Sequence, residues 1–210
     1  MTLRVLRAGS RAAVPWRNGG GVTREIASWP EHAGTAGFDW RISLAEVAGD
    51  GPFSVFPGVD RILTLAEGAG MDLTVGGRRR RVDERYAPES FPGDLPTGCL
   101  LLSGPVVNFN VMYGRDRTVA EVTVVRGTAP VPVPGADGGT VVAVALETPV
   151  VLETGAPRGT TPLDRYDAAV LTPGAGPVTL HGEGRTALVT LRAVPPARSR
   201  RSGPPRPSPA

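Results

Sequence analysis

The sequence predicts an all-β protein made of two jelly-roll half-barrels packed in one compact unit. Three observations support this prediction. Short apolar segments recur along the 210 residues, and glycine or proline ends nearly all of them. No segment of ten or more residues has the apolar spacing of a helix. Two long stretches of the chain also repeat the same order of features.

The strand pattern is clearest in FDWRISLAEV, residues 38–47. Apolar side chains alternate there with Asp39, Arg41 and Ser43, which is the period of a strand that turns one face toward a core. Arg41 and Ser43 therefore share the less apolar face. Further short segments rich in Val, Leu and Thr are also predicted to be strands: RILTLAEG, MDLTVGG, CLLLSG, VNFNVMYG, AEVTVVRG, TVVAVALE, PVVLETG, DAAVLTPG, VTLHGEG and TALVTLRAV.

The repeated unit is a hairpin, a linker, an acidic residue near the start of a strand, a glycine- or proline-containing turn and a closing apolar strand. The acidic residues are Asp94 in the first copy and Asp167 in the second. We therefore predict an N-terminal barrel over residues 1–115, which carries the pocket, and a C-terminal barrel over residues 116–194. Residues 195–210 are rich in Pro, Ser and Arg, cannot build a core and are predicted to be a disordered tail.

The distribution of charge argues against a nucleic-acid partner. The isoelectric point is about 9.7 and the formal charge is +3. Residues 195–210 hold four arginines and no acidic residue, and without these four the formal charge becomes −1. The body of the protein is therefore not the polycation that phosphate backbones attract.

Membrane and secretion signals are also lacking in the sequence. No apolar run approaches the roughly 18 residues that a membrane-spanning helix needs. The first arginines are not followed by the apolar stretch of a signal peptide. We therefore expect a cytoplasmic location and no membrane partner, while a homodimer stays open.

The glycine-rich loop Asn18–Gly21 has the composition of a phosphate-binding loop. Such loops lead into the N-terminus of a helix, where free amides meet the anion. Here the glycines lead into VTREIASW, which is β-branched at three positions and contains no lysine. The sequence therefore predicts a turn that enters a strand.

Several motifs resemble the HutD/Ves family of bacterial bicupins. They are PWRNGGGVTREIA, FDWRISLAEVAGDGPFSVFPGVDRILTLAEG, FPGD and NFNVM, which together cover most of the first 115 residues. The resemblance implies a metal-free bicupin, linked in some bacteria to histidine utilisation and in others to stress responses, with no established enzymatic activity. The chain departs from the family at Asn108, where the family pattern DFN or DLN has a carboxylate.

The residues themselves also argue against a metal cofactor. Cupin enzymes usually bind a divalent ion through two or three histidines and a glutamate. This chain has only His32 and His181, one in each half, and a single cysteine, Cys99. We therefore predict no metal, no other cofactor and no catalytic triad that uses either histidine.

A pocket in the N-terminal barrel would then depend on arginine and amide groups. A planar guanidinium binds a carboxylate through two parallel hydrogen bonds, so Arg41 and Arg61 are the predicted anchors of an acidic small molecule. The remaining predicted ligand-binding residues are Asn110, Ser43, Glu25 and Asn18, the last two at the mouth. The alternative is that Arg61 pairs with Asp60 or Glu25 and only stabilises the barrel rim.

The function predicted from these features is metal-independent binding of a small anionic metabolite, in the regulation or buffering of catabolism. Urocanate or formylglutamate would suit an arginine pocket, and the link to histidine utilisation is what the resemblance implies. The alternative is a metal-independent isomerase or hydrolase with Glu25 or Asp94 as general base. A buried carboxylate with a raised pKa beside the ligand would favour the enzyme. A third hypothesis, a protein-interaction module, requires an exposed apolar patch.

Overall fold

The computed structural model of the chain describes residues 3–31, 33–34, 37–132, 134, 138–155 and 159–195. The predicted tail from residue 196 onward and His32 lie outside these residues. Strands dominate the described residues, which also include one short 3-10 turn at Ala8–Ser10. The all-β prediction is therefore confirmed. No helix in these ranges has the length and hydropathy that crossing a membrane requires.

Nineteen strands lie within the described residues. They are β1 (Leu3–Leu6), β2 (Val14–Pro15), β3 (Gly21–Trp29), β4 (Trp40–Val47), β5 (Gly51–Phe53), β6 (Val59–Glu67), β7 (Met71–Val75), β8 (Arg78–Val82), β9 (Pro88–Pro92), β10 (Thr97–Leu101), β11 (Val106–Gly114), β12 (Thr118–Arg126), β13 (Ala129–Val131), β14 (Thr140–Ala145), β15 (Val150–Thr154), β16 (Gly159–Leu163), β17 (Ala168–Leu171), β18 (Val178–His181) and β19 (Arg185–Ala193).

The strands form four antiparallel sheets, two in each half of the chain. The first half contains a six-stranded sheet, β2-β3-β4-β11-β6-β9, and a four-stranded sheet, β5-β10-β7-β8. The second half contains a five-stranded sheet, β1-β17-β14-β19-β12, and a four-stranded sheet, β13-β18-β15-β16. Strands β4 to β11 and β12 to β19 therefore take the same places in their halves, which explains the repeat in the sequence.

Apolar side chains fill three layers between these sheets. The largest cluster lies between the six-stranded and five-stranded sheets and joins the two halves, with Phe109 and Val111 on one side and Val142 and Val189 on the other. A second cluster fills the C-terminal half. The third fills the space between the six-stranded sheet and its four-stranded partner, which we call the N-terminal lumen. Successive residues of a strand point to opposite faces, so β11 serves both the interface and the N-terminal lumen.

The first strand of the chain belongs to the sheet of the second half. β1 pairs with β17, from Leu3 opposite Leu171 to Leu6 opposite Ala168. Next to this strand, the buried carboxylate of Asp167 accepts hydrogen bonds from the backbone N–H of Ala8 and from the guanidinium of Arg7, both at 2.7 Å. The division into domains at residue 115 stays a prediction, and residues 3–8 contact the opposite half.

Candidate functional site

Three neighbouring strands carry the polar side chains of the N-terminal lumen. Met112 of β11 lies opposite Arg41 of β4 and Arg61 of β6, and Asn110 lies opposite Ser43 and Leu63. The register therefore brings four of the predicted ligand-binding residues, Arg41, Arg61, Asn110 and Ser43, into two adjacent rows of the six-stranded sheet.

Arg61 is enclosed by aromatic rings and an amide. Only 8% of its surface is exposed. Its guanidinium carbon lies 5.0 Å from the ring centroid of Phe53 and 5.3 Å from that of Phe91, which places the cation over two aromatic faces. One guanidinium nitrogen, Nη2, donates a hydrogen bond to Oδ1 of Asn110 at 3.2 Å. The rings and the amide hold the guanidinium in place but supply no negative charge.

The two carboxylates considered as partners of Arg61 bind other arginines. Asp60 pairs with Arg115 at 2.7 Å, and Glu25 pairs with Arg41 at 2.6 Å. Within the described ranges, Arg61 has no acidic partner, and its buried Nε has no hydrogen-bond acceptor. Burial without a counter-charge disfavours the cation and lowers the pKa of Arg61 to about 10.

Arg41 is in a different electrostatic state, because it has an internal acid. Its Nε donates to Oε2 of Glu25, and the hydroxyl of Ser28 donates to the other oxygen of that carboxylate at 2.9 Å. The side chain of Arg41 is 12% exposed and that of Glu25 is 33% exposed. Glu25 therefore compensates Arg41 and lies where solvent reaches the pair. Of the two predicted anchors, Arg61 is the one that lacks a counter-charge among the described residues.

The glycine loop is a turn, as the sequence predicts. Asn18 accepts a hydrogen bond from the backbone N–H of Gly20 at 3.1 Å, and β3 begins directly afterwards at Gly21. A side chain at Gly21 would place its Cβ 2.3 Å from the backbone oxygen of Glu46, so only glycine fits there. Asn18 is exposed and its carbonyl is occupied by the loop itself.

The motif FPGD explains part of the surroundings of Arg61. Phe91 supplies one of the two rings, and a Cβ at Gly93 would lie 3.3 Å from Cγ of Arg61 and 2.8 Å from the backbone oxygen of Val59. Glycine at this position therefore leaves room for the arginine stem. Sequence reasoning missed Phe91 and Gly93 as neighbours of Arg61, because β7 and β8 separate β6 from β9 in the chain and no local pattern marks the pairing of β6 with β9.

Asn108 is a further buried amide of the N-terminal lumen. It is fully buried, its Nδ2 lies 3.8 Å from the sulfur of Met71, and its Oδ1 has no hydrogen-bond donor among the described residues. The residue that departs from the family pattern thus lies two positions before Asn110 on the same strand face. Both amides present polar atoms to an otherwise apolar interior.

The two carboxylates proposed as general bases are both engaged with donors. Asp94 binds Arg115 at 2.8 Å, and this hydrogen bond lowers the pKa of Asp94 despite partial burial. The carboxylate of Glu25 accepts hydrogen bonds from Arg41 and Ser28. A carboxylate with a lowered pKa is a weaker base, so the position of Asp94 beside Arg115 favours an ion pair at the barrel rim.

The described residues contain no group of three or more His, Cys, Asp or Glu side chains arranged to hold a metal ion. His181 lies 2.9 Å from Glu153 on the C-terminal half. Cys99 is buried in the N-terminal lumen, and burial raises the pKa of its thiol to about 11. The absence of a metal in the protein itself stays a prediction.

Comparison with known proteins identifies the family of the chain. The HutD family profile matches residues 8–189. The chain belongs to the HutD family. One relative, an uncharacterised 21.2 kDa protein encoded in the hutC 3' region of Pseudomonas putida, is 38% identical over 127 residues, which are 60% of this chain and 66% of that protein. Protein Ves of Cronobacter sakazakii is 41% identical over 114 residues, 54% of this chain and 61% of its own length. The matches thus span less than two thirds of these relatives.

Two solved structures have the same architecture as this chain. A conserved protein of unknown function from Pseudomonas aeruginosa PAO1 has a TM-score of 0.82 and 29% identity, covering 91% of this chain and all of the other. HutD from Pseudomonas fluorescens SBW25, in a formate condition, has a TM-score of 0.77 and 31% identity, covering 92% of this chain and all of the other. The predicted all-β bicupin fold and the predicted family are therefore both confirmed.

Proposed function

We propose that this HutD-family protein binds a small carboxylated metabolite in its N-terminal lumen, without a metal ion, and so regulates or buffers a catabolic pathway. The observation that carries the proposal is Arg61, a buried cation with no acidic partner in the described part of the chain. A cation removed from water is costly unless a negative charge compensates it. A ligand carboxylate would supply that charge.

The surroundings of Arg61 define the kind of ligand. The rings of Phe53 and Phe91 flank the guanidinium, and Asn110 holds one of its nitrogens, which leaves the buried Nε as a donor without an acceptor. A carboxylate can accept from Nε and a neighbouring nitrogen at the same time. Because only 8% of Arg61 is exposed, the ligand must be narrow where it carries the carboxylate.

The names of the relatives support a place in catabolism. One relative is encoded beside hutC, and another solved relative is named HutD. We therefore propose an acid of histidine breakdown, such as urocanate or formylglutamate, as the natural ligand. Formate, the smallest carboxylate, is the matching probe for the arginine alone.

Calorimetric titration of the full chain with urocanate, formylglutamate and formate tests this function. The substitution Arg61→Met keeps most of the side-chain volume and removes the charge. We expect it to weaken binding of a carboxylate by about 2–5 kcal/mol, the usual cost of removing one member of a buried charge pair. Arg78→Met, which changes an exposed arginine of β8, is the matched control and should leave affinity unchanged.

Two results would contradict the proposal. One is that none of the three acids binds the unmodified protein at millimolar concentration. The other is that Arg61→Met and Arg78→Met bind the acid with equal affinity, which would leave Arg61 as a structural residue.

A further inference from the structure

A cavity lies outside the N-terminal lumen, at one end of the interface between the two halves. Its volume is about 500 Å³, within the roughly 300–1,000 Å³ range of small-molecule pockets. The inner wall is apolar and is formed by Ala27 and Trp40 of the six-stranded sheet and by Val170 and Leu191 of the five-stranded sheet. We call this cavity the interface cleft. Both halves of the chain contribute to it.

Aromatic surface is concentrated on one side of the interface cleft. Trp40 is buried in the wall, whereas Trp29, its neighbour across the β3–β4 pair, is 55% exposed although it is a large apolar side chain. An exposed indole next to a cavity offers a flat face for a ring, and such ring pairs stabilise contacts beyond the area that they bury. The shape and chemistry of this side therefore suit a planar, aromatic body.

The charged residues of the interface cleft leave one cation uncompensated. Its carboxylates, Glu31 and Asp39, are each paired with an arginine, Arg4 at 2.6 Å and Arg117 at 2.5 Å. Arg192, at the end of β19, is exposed and pairs with no acid in the part of the chain that the structure describes. Among the described lining residues, three arginines face two carboxylates, so their net charge is positive and Arg192 is the cation without an acidic partner there.

We infer that the interface cleft is a second ligand site, for an aromatic carboxylate whose ring packs on Trp29 and Trp40 and whose anionic group binds Arg192. This site is separate from the lumen around Arg61, and neither depends on the other. The two apolar walls come from different halves of the chain, so an occupant would also contact both halves at once.

Nuclear magnetic resonance of the three tryptophan indoles separates the two sites. The probe is 2-naphthoate, added to the full chain, and the three indole N–H signals are assigned with the single variants Trp16→Phe, Trp29→Phe and Trp40→Phe. Trp16 reports on the lumen, because it packs edge-on against Phe53, which flanks Arg61. We expect 2-naphthoate to shift the signals of Trp29 and Trp40 and to leave the signal of Trp16 in place.

The contributions of the carboxylate and of the aromatic ring of 2-naphthoate to binding are tested separately. Arg192→Gln should weaken 2-naphthoate binding about tenfold, the effect of losing one charge-assisted hydrogen bond. The neutral analogue 2-naphthalenemethanol should bind weakly and equally to both proteins. Arg78→Gln, at an exposed arginine of the other half, is the matched control and should bind 2-naphthoate like the unmodified protein.

Any of several outcomes would overturn the inference. They include the lack of any indole shift at millimolar 2-naphthoate, a shift of Trp16 alone, and equal weakening by Arg192→Gln and Arg78→Gln. Loss of binding in Arg61→Met, with normal binding in Arg192→Gln, would instead place 2-naphthoate in the lumen and also reject the second site.

Discussion

Tyr86 and Tyr166 each donate a hydrogen bond to a glutamate in the opposite half of the chain. Tyr86 donates its hydroxyl to Glu147 of the second half at 2.6 Å, and Tyr166 donates its hydroxyl to Glu67 of the first half. Both tyrosines have a left-handed backbone, with φ of 69° and 66°, which is unusual for residues other than glycine. Equivalent residues of the repeat therefore form two reciprocal links between the halves.

Removing one of these hydroxyls should weaken folding. We expect Tyr86→Phe to lower the free energy of unfolding by about 1.5 kcal/mol, the lower end for a hydrogen bond to a charged group, because Glu147 is partly exposed. Tyr113→Phe is the control, since Tyr113 also packs against the interface core but its hydroxyl has no hydrogen bond in the described residues. Denaturant unfolding measures both. Equal stability of the two variants would show that the hydrogen bond of Tyr86 contributes nothing.

Removing the charge of Arg61 and removing the charge of Arg41 should have different effects on the stability of the protein. Arg61→Met removes a buried charge for which the described part of the chain supplies no acidic partner, so stability should be unchanged or slightly higher. Arg41→Met leaves Glu25 without its cation and should destabilise the protein by roughly 1–3 kcal/mol, because the pair is only partly buried. Chemical denaturation of both variants is the measurement. A large loss in Arg61→Met would mean that an acid outside the described residues pairs with it.

Ligand binding in the lumen should depend on pH through Arg61. The pKa of this arginine in the folded protein is lowered to about 10 by burial, so the cation is fully present at neutral pH. Carboxylate affinity should therefore be constant from pH 7 to 9 and fall as the pH rises through about 10, where the guanidinium loses its proton. Calorimetry across this range gives the profile. A decline that begins near neutral pH would assign the binding to a different group.

Asp167 should contribute to stability only above acidic pH. Burial acts to raise the pKa of Asp167, but the hydrogen bonds from Ala8 and Arg7 outweigh it, so the pKa is lowered on folding. We expect Asp167→Asn to cost roughly 2 kcal/mol at pH 7. Since a lowered carboxyl pKa stabilises above the unfolded value of about 4, the difference should shrink as the pH falls below it.

Arg7→Gln provides the comparison for Asp167→Asn. Half of the Arg7 side chain is exposed, so its loss should cost less than about 1 kcal/mol. Thermal unfolding at several pH values measures both variants. A pH-independent cost of Asp167→Asn would show that the charge of the carboxylate plays no part.

The prediction of a metal-free protein is tested by elemental analysis. Purified protein should carry no stoichiometric Fe, Mn, Ni or Zn, and a chelator should leave its melting temperature unchanged, because its histidines lie one in each half. About one equivalent of bound metal, with a lower melting temperature after chelation, would refute this prediction.

Local pattern was sufficient to predict the apolar strands but not seven shorter or more polar ones, which are β1, β2, β5, β8, β9, β13 and β16. The alternation in residues 38–47 predicts β4, found at Trp40–Val47, and it places Arg41 and Ser43 on one face as observed in the pairing with β11. The glycine loop was also predictable, because the β-branched residues after Gly21 exclude a helix.

Partners across the sheet could not be predicted in the same way. The β3–β4 register decides which arginine forms an ion pair with Glu25. This register includes a bulge between Glu25 and Ala27 that no local pattern marks. One signal was available for Arg61: adjacent strand residues point to opposite faces, so Asp60 cannot share its surroundings. The interface cleft and the hydrogen bonds of Tyr86 and Tyr166 could not be predicted either. They arise where the two halves pack together, and no single segment of the sequence specifies that packing.

The pairing of β1 with β17 has a consequence for how the protein is made. Residues Leu3–Leu6 come before every other described strand in the chain, whereas β17, their partner, is synthesised only after most of the described strands. Until β17 has been synthesised, β1 has no partner strand to pair with. A fragment that starts after residue 115 would therefore display an unpaired edge strand and should self-associate, unless a peptide with the sequence LRVL and its flanking residues is added to cap it.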